Sequence, residues 1–301
     1  MKSSSEIIRT ARSLGIGVPA FNIAHLPMTE PVIRAVTDQD SFALGEVSRI
    51  DWMKFGAKSP KAVIDEFNKW KKPDHVRIHL DHVPVIDEDG KRVDYRAVIS
   101  EAISLGYQSV MVDASRLPLE ENIRVTREVS DLAHAAGVPC ESELGAVLGH
   151  EAGPLPPYEE LFASGKGFTR PDEAARFVRE SGCDWLSVAI GNIHGAVSEA
   201  TRDQKKVEAR LALEHLAKLA EVTGVPLVLH GGSGIQQEYV LKSMKKGIAK
   251  INVGTEIRQA YEQALKSGGS VATAQEAVYQ RTVSLIRDWF GLSGIRARIL
   301  A

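Results

Sequence analysis

His79-Leu80-Asp81-His82 closes a β-type run, His75-Val76-Arg77-Ile78-His79-Leu80, and stands directly before a break at Val83-Pro84. A carboxylate directly precedes an imidazole where a strand ends. Neighbouring residues of a strand point to opposite faces, so Asp81 and His82 converge on one centre only if the chain turns there. Such a turn suits an acid/base beside a metal ligand. A surface loop of the same composition would read identically, so the other strand ends have to decide.

Outward from this stretch, short apolar runs alternate with segments of helical period. The runs predict strands at Ile16–Phe21, Phe42–Val47, Val76–Leu80, Ser109–Val112, Val138–Cys140, Trp185–Ala189, Pro226–Leu229 and Ala249–Val253. Between them the spacing predicts helices at Met28–Asp38, Lys61–Trp70, Tyr95–Leu105, Leu119–Ala136, Asp172–Ser181, Val207–Thr223, Gln237–Lys246 and Glu256–Lys266. Several of these stop at glycine (Gly106, Gly137, Gly182, Gly224, Gly247), the expected residue just past a helix end. Ser5 can cap a first helix through Ser13, and Thr273–Trp289 forms one more at the other end. The expectation is α/β: a (β/α)8 TIM barrel with an extra N-terminal helix and a C-terminal helical extension, residues 1–301 forming one domain. A doubly wound open sheet is the alternative, though it does not require the strand count to reach eight.

In such barrels the active site is built at the C-terminal strand ends. Those positions carry Asn22, Ser48, Asp81 with His82, Asp113, Glu143, His194, His230 and Asn252. Three histidines with three carboxylates is a metal-site composition. His82, His194 and His230 would leave a position open for substrate, as catalytic zinc requires. A histidine closing a buried strand is also what a satisfied core residue looks like. At His230, however, Gly231-Gly232-Ser233-Gly234 follows and opens a helix, and Asn252-Val253-Gly254-Thr255 offers a second cradle. Glycines let backbone N–H groups approach an anion at a helix start, and phosphate between the loops after strands seven and eight recurs in these barrels. His79 reads as a strand side chain, His134 and His215 as structural or surface residues. Asp87-Glu88-Asp89-Gly90-Lys91-Arg92 lacks calcium-loop spacing and reads as a solvated hairpin turn.

The chain has 301 residues, 44% hydrophobic, with a formal charge of −2 and a pI near 6.5. It is long enough for a large core, and its charge favours neither nucleic acid nor an anionic membrane. No apolar run has the length of a membrane span, and the N-terminus lacks a signal-peptide core. Cys140 and Cys183 have no metal-type spacing and read as reduced core thiols, so a cytoplasmic protein is expected.

With these residues assembled, the chain resembles the class II, metal-dependent fructose-bisphosphate aldolases, including the tagatose-bisphosphate branch. The resemblance runs from about Gly17 to Ala264. It rests on Pro19-Ala20-Phe21-Asn22, His79-Leu80-Asp81-His82, Ser109 through Ser115 with Glu121-Asn122-Ile123, Glu141-Ser142-Glu143-Leu144-Gly145, Ala189 through Gly195, His230 through Gly234 and Lys250 through Thr255. It implies one catalytic Zn2+ per subunit on His82, His194 and His230, with Asp81 as the acid/base for the C4 hydroxyl proton. Glu143, and with it Asp113, would serve an alternative or second metal position. Glu151, in a mobile loop, would take the proton from the triose phosphate. Asn22, Ser48, Gly195, Gly231, Gly232, Ser233, Asn252, Gly254 and Thr255 would line the sugar-phosphate pocket. A Na+ or K+ ion near His194 and Gly231, and a homodimer or homotetramer, belong to the same implication. The implied reaction is reversible aldol cleavage of a ketose 1,6-bisphosphate to dihydroxyacetone phosphate and an aldehyde, through a zinc-stabilised enediolate, with no Schiff-base lysine.

Departures bear on the substrate. Ser198 stands near where many relatives have a phosphate-binding lysine, and Gly254 replaces an aspartate. Glu46 stands where a neutral glutamine is common, Arg49 follows Ser48, and Val83 through Arg92 adds an acidic insertion. Ala152 replaces an acidic residue often found after the loop glutamate. Arg258 and the Arg296/Arg298 pair are candidates for the second phosphate. A metal-dependent isomerase or epimerase using the same enediolate, or an aldolase of another phosphorylated keto-sugar, is the alternative; a non-catalytic relative should have lost ligands.

Overall fold

The computed structural model describes residues 2–145, 158–192, 209–232 and 234–301. Its strands are β1 (Val18–Asn22), β2 (Ala43–Ser48), β3 (Val76–Pro84), β4 (Ser109–Asp113), β5 (Cys140–Leu144), β6 (Trp185–Val188), β7 (Leu227–Leu229) and β8 (Ile248–Val253). Each pairs in parallel with its neighbour in sequence, and β8 returns to β1 through Val18–Lys250 and Ala20–Asn252, closing an eight-stranded barrel. A parallel sheet must be covered on both faces. Here helices cover the outside and side chains fill the inside, so β2, β5, β6, β7 and β8 are buried along their whole length.

The helices start and stop for readable reasons. Ser59 caps Pro60–Trp70, and Asp94 caps Tyr95–Leu105, each accepting a first-turn N–H. Gly106 and Gly182 end their helices at φ 93° and 71°, a region closed to most side chains. The first helix is Ser4–Ser13, and its cap is Ser3 rather than Ser5. Ser3 Oγ accepts from Glu6 N while the Glu6 carboxylate accepts from Ser3 N, a reciprocal box that Ser5 has no partner to make. This helix packs beneath β8 and against the C-terminal Arg296–Leu300 helix. The C-terminal extension runs Val271–Ser284, capped by Ser270, then loosens into a wider helical turn at Leu285–Trp289.

Three expectations shift. The fifth strand begins at Cys140 and runs to Leu144, so Val138-Pro139 precede it and Glu141 and Glu143 lie inside it. Its alternating charges disguise it as a loop because the interior it faces is polar. Only Leu213–Thr223 of the predicted Val207–Thr223 helix is helical among the described residues; Ala209 bridges Ile235 instead. A short helix at Arg49–Lys54 was not anticipated. It follows from Ser48, whose N–H and hydroxyl both donate to Asp51.

Alternation along the strands stacks two polar layers inside the C-terminal half of the barrel. Residues two apart share a face, giving Glu46, His79, Glu141 and Lys250 in a lower layer. Ser48, Asp81, Glu143 and Asn252 lie above them. Register aligns Glu46 with His79 and Ser48 with Asp81. Barrel layers are ordinarily filled by branched apolar side chains; ionisable ones in a fully buried layer need mutual compensation.

Asp51 organises one side of the rim, accepting from Ser48 N (2.8 Å), Ser48 Oγ (2.7 Å) and Asn22 Nδ2 (3.0 Å). Asp51→Ala removes a helix box and frees two rim side chains. Urea unfolding should show a loss of about 1–2 kcal/mol; an unchanged midpoint would show that the box contributes nothing.

Candidate metal and sugar-phosphate site

The turn that Asp81-His82 required is present as a bulge within β3. Between Leu80 and Val83 this strand spends three residues where β4 spends two, Val110 to Val112. His82 takes the extra position at φ 29°, a conformation rare for a non-glycine residue. Asp81 therefore keeps its inward direction, 1% exposed, while His82 is swung onto the same rim. The His82 and His230 rings lie 4.4 Å apart between centroids, and one donor atom from each of Asp81, His82 and His230 falls within 4.8 Å of the others.

Carboxylates hold both imidazoles in place. Asp113 Oδ2 lies 3.3 Å from His82 Nδ1 and is itself fixed by Ser115, which donates from N (3.0 Å) and Oγ (2.6 Å). Glu143 lies 2.9 Å from His230 Nδ1, and Glu141 lies 2.9 Å from Nε2. Burial works against a charged imidazole, yet the surrounding carboxylates outweigh it and raise His82 to about 10 and His230 to about 9. Carboxylates that favour the charged form of a half-buried His82 and a buried His230 leave the site with surplus negative charge. Two nitrogen donors in such a field fit a divalent cation in place of those protons. With such an ion bound, Asp113 and Glu143 would stand where carboxylates commonly orient ligating histidines.

Beneath them, Lys250 Nζ sits 3.0 Å from Glu141 Oε2, 3.2 Å from Glu46 Oε2 and 3.6 Å from Asp81 Oδ1. Burial penalises the Asp81 charge, but His82, Lys250 and His79 together hold its carboxyl well below the usual range. Asn252 Nδ2 donates to both Asp81 oxygens at 3.1 Å. Asp81 is thus a fixed, ionised carboxylate at the edge of the site. From the sequence, Glu46 is only a departure beside Ser48, His79 reads as a strand side chain, and Glu141 and Lys250 carry no role in the site. Their i, i+2 spacing to Glu143, Asn252, Ser48 and Asp81 is the signal that would have found them.

The two glycine loops meet. A Cβ at Gly232 would stand 3.0 Å from Asn252 O, and one at Gly254 would stand 3.2 Å from Asn22 Oδ1. Thr255 opens the helix Thr255–Lys266, whose first-turn N–H groups have no side-chain cap at Gly254. Asn192 links the sixth and seventh strand ends, its Nδ2 donating to His230 O at 3.0 Å. His194, Gly195, Glu151 and Ser233 lie outside the described residues. The insertion forms a hairpin, bridged at Ile86–Arg92, but it is not freely solvated. Asp87 is buried; it accepts from Asp89 N and Lys91 N, and its carboxylate sits 3.5 Å from Arg49 Nη1. Arg116 donates to Asp87 O at 2.6 Å, so the hairpin is tied to the rim at β2 and β4.

Burial raises Glu46 to about 8, the Asp81 charge reinforcing the shift. Unfolded, this carboxyl ionises near 4.5. Between those values the folded state holds a proton that the unfolded chain releases, so stability falls as pH rises from about 4.5 to 8 and then levels. Glu46→Gln has no such proton. On metal-free protein, its stability relative to wild type should therefore climb across pH 5–8 by on the order of a few kcal/mol; a pH-independent difference would contradict the buried, protonated Glu46.

The family described as fructose-bisphosphate aldolase class-II matches residues 2–294. The fructose-bisphosphate aldolase of Streptococcus pyogenes is 36% identical over 281 residues, covering 92% of this chain and 86% of that protein. The probable fructose-bisphosphate aldolase of Bacillus subtilis is 34% identical, with 97% and 98% covered. Among solved structures, the YdjI aldolase of Escherichia coli superposes with a TM-score of 0.75 at 29% identity, covering 98% of this chain and 99% of that one. A closed barrel, two imidazoles with an ionised carboxylate on its C-terminal rim and these matches agree: the chain belongs to the class-II fructose-bisphosphate aldolases, a family of lyases.

Proposed function

We propose that this protein reversibly cleaves a ketose 1,6-bisphosphate, of the fructose or tagatose type, to dihydroxyacetone phosphate and an aldehyde, with a zinc ion held by His82, His194 and His230. The observation that carries the reading is the pairing, across one bulge, of an ionised, anchored Asp81 with a His82 that faces His230. A divalent ion bound by these imidazoles supplies Lewis-acid polarisation of the substrate ketone.

The chain's own residues supply the rest. Asp81 accepts the C4 hydroxyl proton as the C3–C4 bond breaks, and returns it in the condensation direction. Its low basicity is offset by its position: Asn252 fixes both oxygens, so no reorientation precedes transfer. Gly231, Gly232, Ser233, Asn252, Gly254 and Thr255 bind the phosphate of the triose half, and Asn22 and Gly195 belong to the same pocket. Glu151 exchanges the proton on the triose carbon. Glu143 and Asp113 orient the ligands and offer the alternative metal position. Ser48 faces the aldehyde half, where the Arg49–Asp87 contact narrows the rim. Arg258, in the helix after the eighth strand, is a candidate for the second phosphate, with its guanidinium 4.7 Å from the Phe55 ring centroid and already paired to Glu262 at 2.7 Å. Arg296 is already paired to Asp40 at 2.6 Å. A Na+ or K+ ion near Gly231, assembly as a homodimer or homotetramer and a cytoplasmic site of action complete the reading. In keeping with that last point, no helix among the described residues is long and apolar enough to cross a membrane.

Two measurements test this. Incubation with fructose or tagatose 1,6-bisphosphate and a coupled assay should release dihydroxyacetone phosphate, and chelation should abolish the release until zinc is restored. Ketose isomers or epimers without triose phosphate would indicate the isomerase reading instead. Asp81→Ala should lower kcat/KM by roughly 10²–10⁴-fold, the usual value of a positioned acid/base, with zinc content unchanged. Normal turnover in that variant would remove Asp81 from the mechanism.

A further inference from the structure

Two donor clusters share Asp81. One is Asp81, His82 and His230 on the rim; the other is Glu46, His79 and Asp81 directly beneath, with every member buried. The lower cluster has the make-up of a metal site and lies beside the first. Both Glu46 oxygens, His79 Nε2 and Glu141 Oε2 are buried without a hydrogen-bond partner, although the described structure surrounds them. Glu46, His79 and Glu141 are each 0% exposed. Donors of this kind are normally satisfied by hydrogen bonds or by an ion.

What stands among them is the ammonium of Lys250, also 0% exposed. It contacts Glu141, Glu46 and Asp81 at 3.0, 3.2 and 3.6 Å, yet it too makes no hydrogen bond of good geometry. Three carboxyl groups around one nitrogen at these distances describe coordination of a point charge. His79 Nε2 adds a fourth donor, 3.5 Å from Glu141 Oε2 and 3.7 Å from Asp81 Oδ1. The opposite ring nitrogen, Nδ1, is fixed at 2.8 Å from Ser109 Oγ, as the second nitrogen of a metal-bound imidazole commonly is.

We propose that Lys250 is a tethered stand-in for a metal ion: its ammonium fills an interior divalent-cation site formed by Glu46, His79, Asp81 and Glu141, and so confines divalent ions to the rim. The inference deepens the metal-assisted reading above and rests on it for the role of the rim. The stand-in matters for Asp81. A divalent ion bonded to its Oδ1 would draw off the lone pair that has to take a proton, whereas a single-charged ammonium at 3.6 Å holds the carboxylate in place and leaves that lone pair available. Lys250 is thus a positioning residue that keeps Asp81 a proton carrier rather than a ligand.

The test counts ions. Wild type, Lys250→Met and the double variant Lys250→Met/Glu46→Gln are stripped with chelator, checked by circular dichroism and titrated with Co2+, with metal per chain measured after equilibrium dialysis. Lys250→Met should hold one more Co2+ per chain than wild type, with a new visible absorption band. The double variant should bind that extra ion at least tenfold more weakly. A folded Lys250→Met chain with the wild-type count overturns the proposal. Should Lys250→Met fail to fold, anomalous diffraction from wild-type crystals soaked in Co2+ decides: density between Glu46 and His79 overturns it, and density confined to the rim supports it. Because the readout is the increment over wild type, it is separable from the functional reading. A wild-type chain that binds no ion would count against the zinc mechanism while an ion gained only in Lys250→Met would still establish the interior site.

Discussion

One extra residue in β3 is the constraint on which the site depends. Without it, the pleat would send Asp81 into the barrel and His82 outward against a helix. The bulge leaves Asp81 in register with Ser48 and brings the His82 ring to 4.4 Å from that of His230. Its backbone conformation is unfavourable for histidine, on the order of 1 kcal/mol or more. That strain persists because both ends of the bulge are fixed: Leu80 and Val83 are fully buried, and His82 is held by Asp113. On the proposed mechanism, such strain is what placing an acid/base directly next to a metal ligand requires.

The second organising feature is charge. The barrel interior concentrates Glu46, Asp81, Glu141 and Glu143, with Lys250 the lysine among them. Removing one partner from such a set strands the others, at a cost of about 3–5 kcal/mol for a buried pair. Binding of a cation at the rim therefore also relieves a folded-state imbalance. The same field fixes which groups can act: Asp81 is pinned as an anion between Asn252 and Lys250, while burial and the neighbouring Asp81 charge keep the proton on Glu46. Acid/base assignment follows from environments that push neighbouring carboxyls apart, as in other enzymes with paired carboxyl groups.

Much of this was legible in the sequence. The count of eight units came from periodicity and glycine stops, and the rim from reading one position after each apolar run. What escaped was information carried by alternation inside polar strands. Glu141 through Leu144 falls beyond the predicted strand Val138–Cys140 because Glu141 and Glu143 face an interior that is itself charged. Likewise Lys250 and His79 look like incidental polar residues until the closed barrel brings strands two, three, five and eight onto one layer. No local pattern encodes a contact between Glu46 and a lysine 204 positions later. Short-range caps were misplaced by a residue or two, as at Ser3, because a capping box needs both partners and the sequence offered three consecutive serines. The turn at Asp87–Arg92 reads as a solvated hairpin, but Asp87 is buried and its tie to Arg49 depends on tertiary geometry.

The division of labour between His82 with His230 and the carboxylate beside them is the central claim, and zinc K-edge X-ray absorption of the reloaded protein tests it most directly. The wild-type spectrum should show multiple imidazole scattering, weakened in His82→Ala and in His230→Ala and unchanged in Asp81→Asn. A coordination shell that loses an oxygen in Asp81→Asn, or one indifferent to loss of either histidine, would contradict it by making Asp81 a ligand or placing the metal elsewhere.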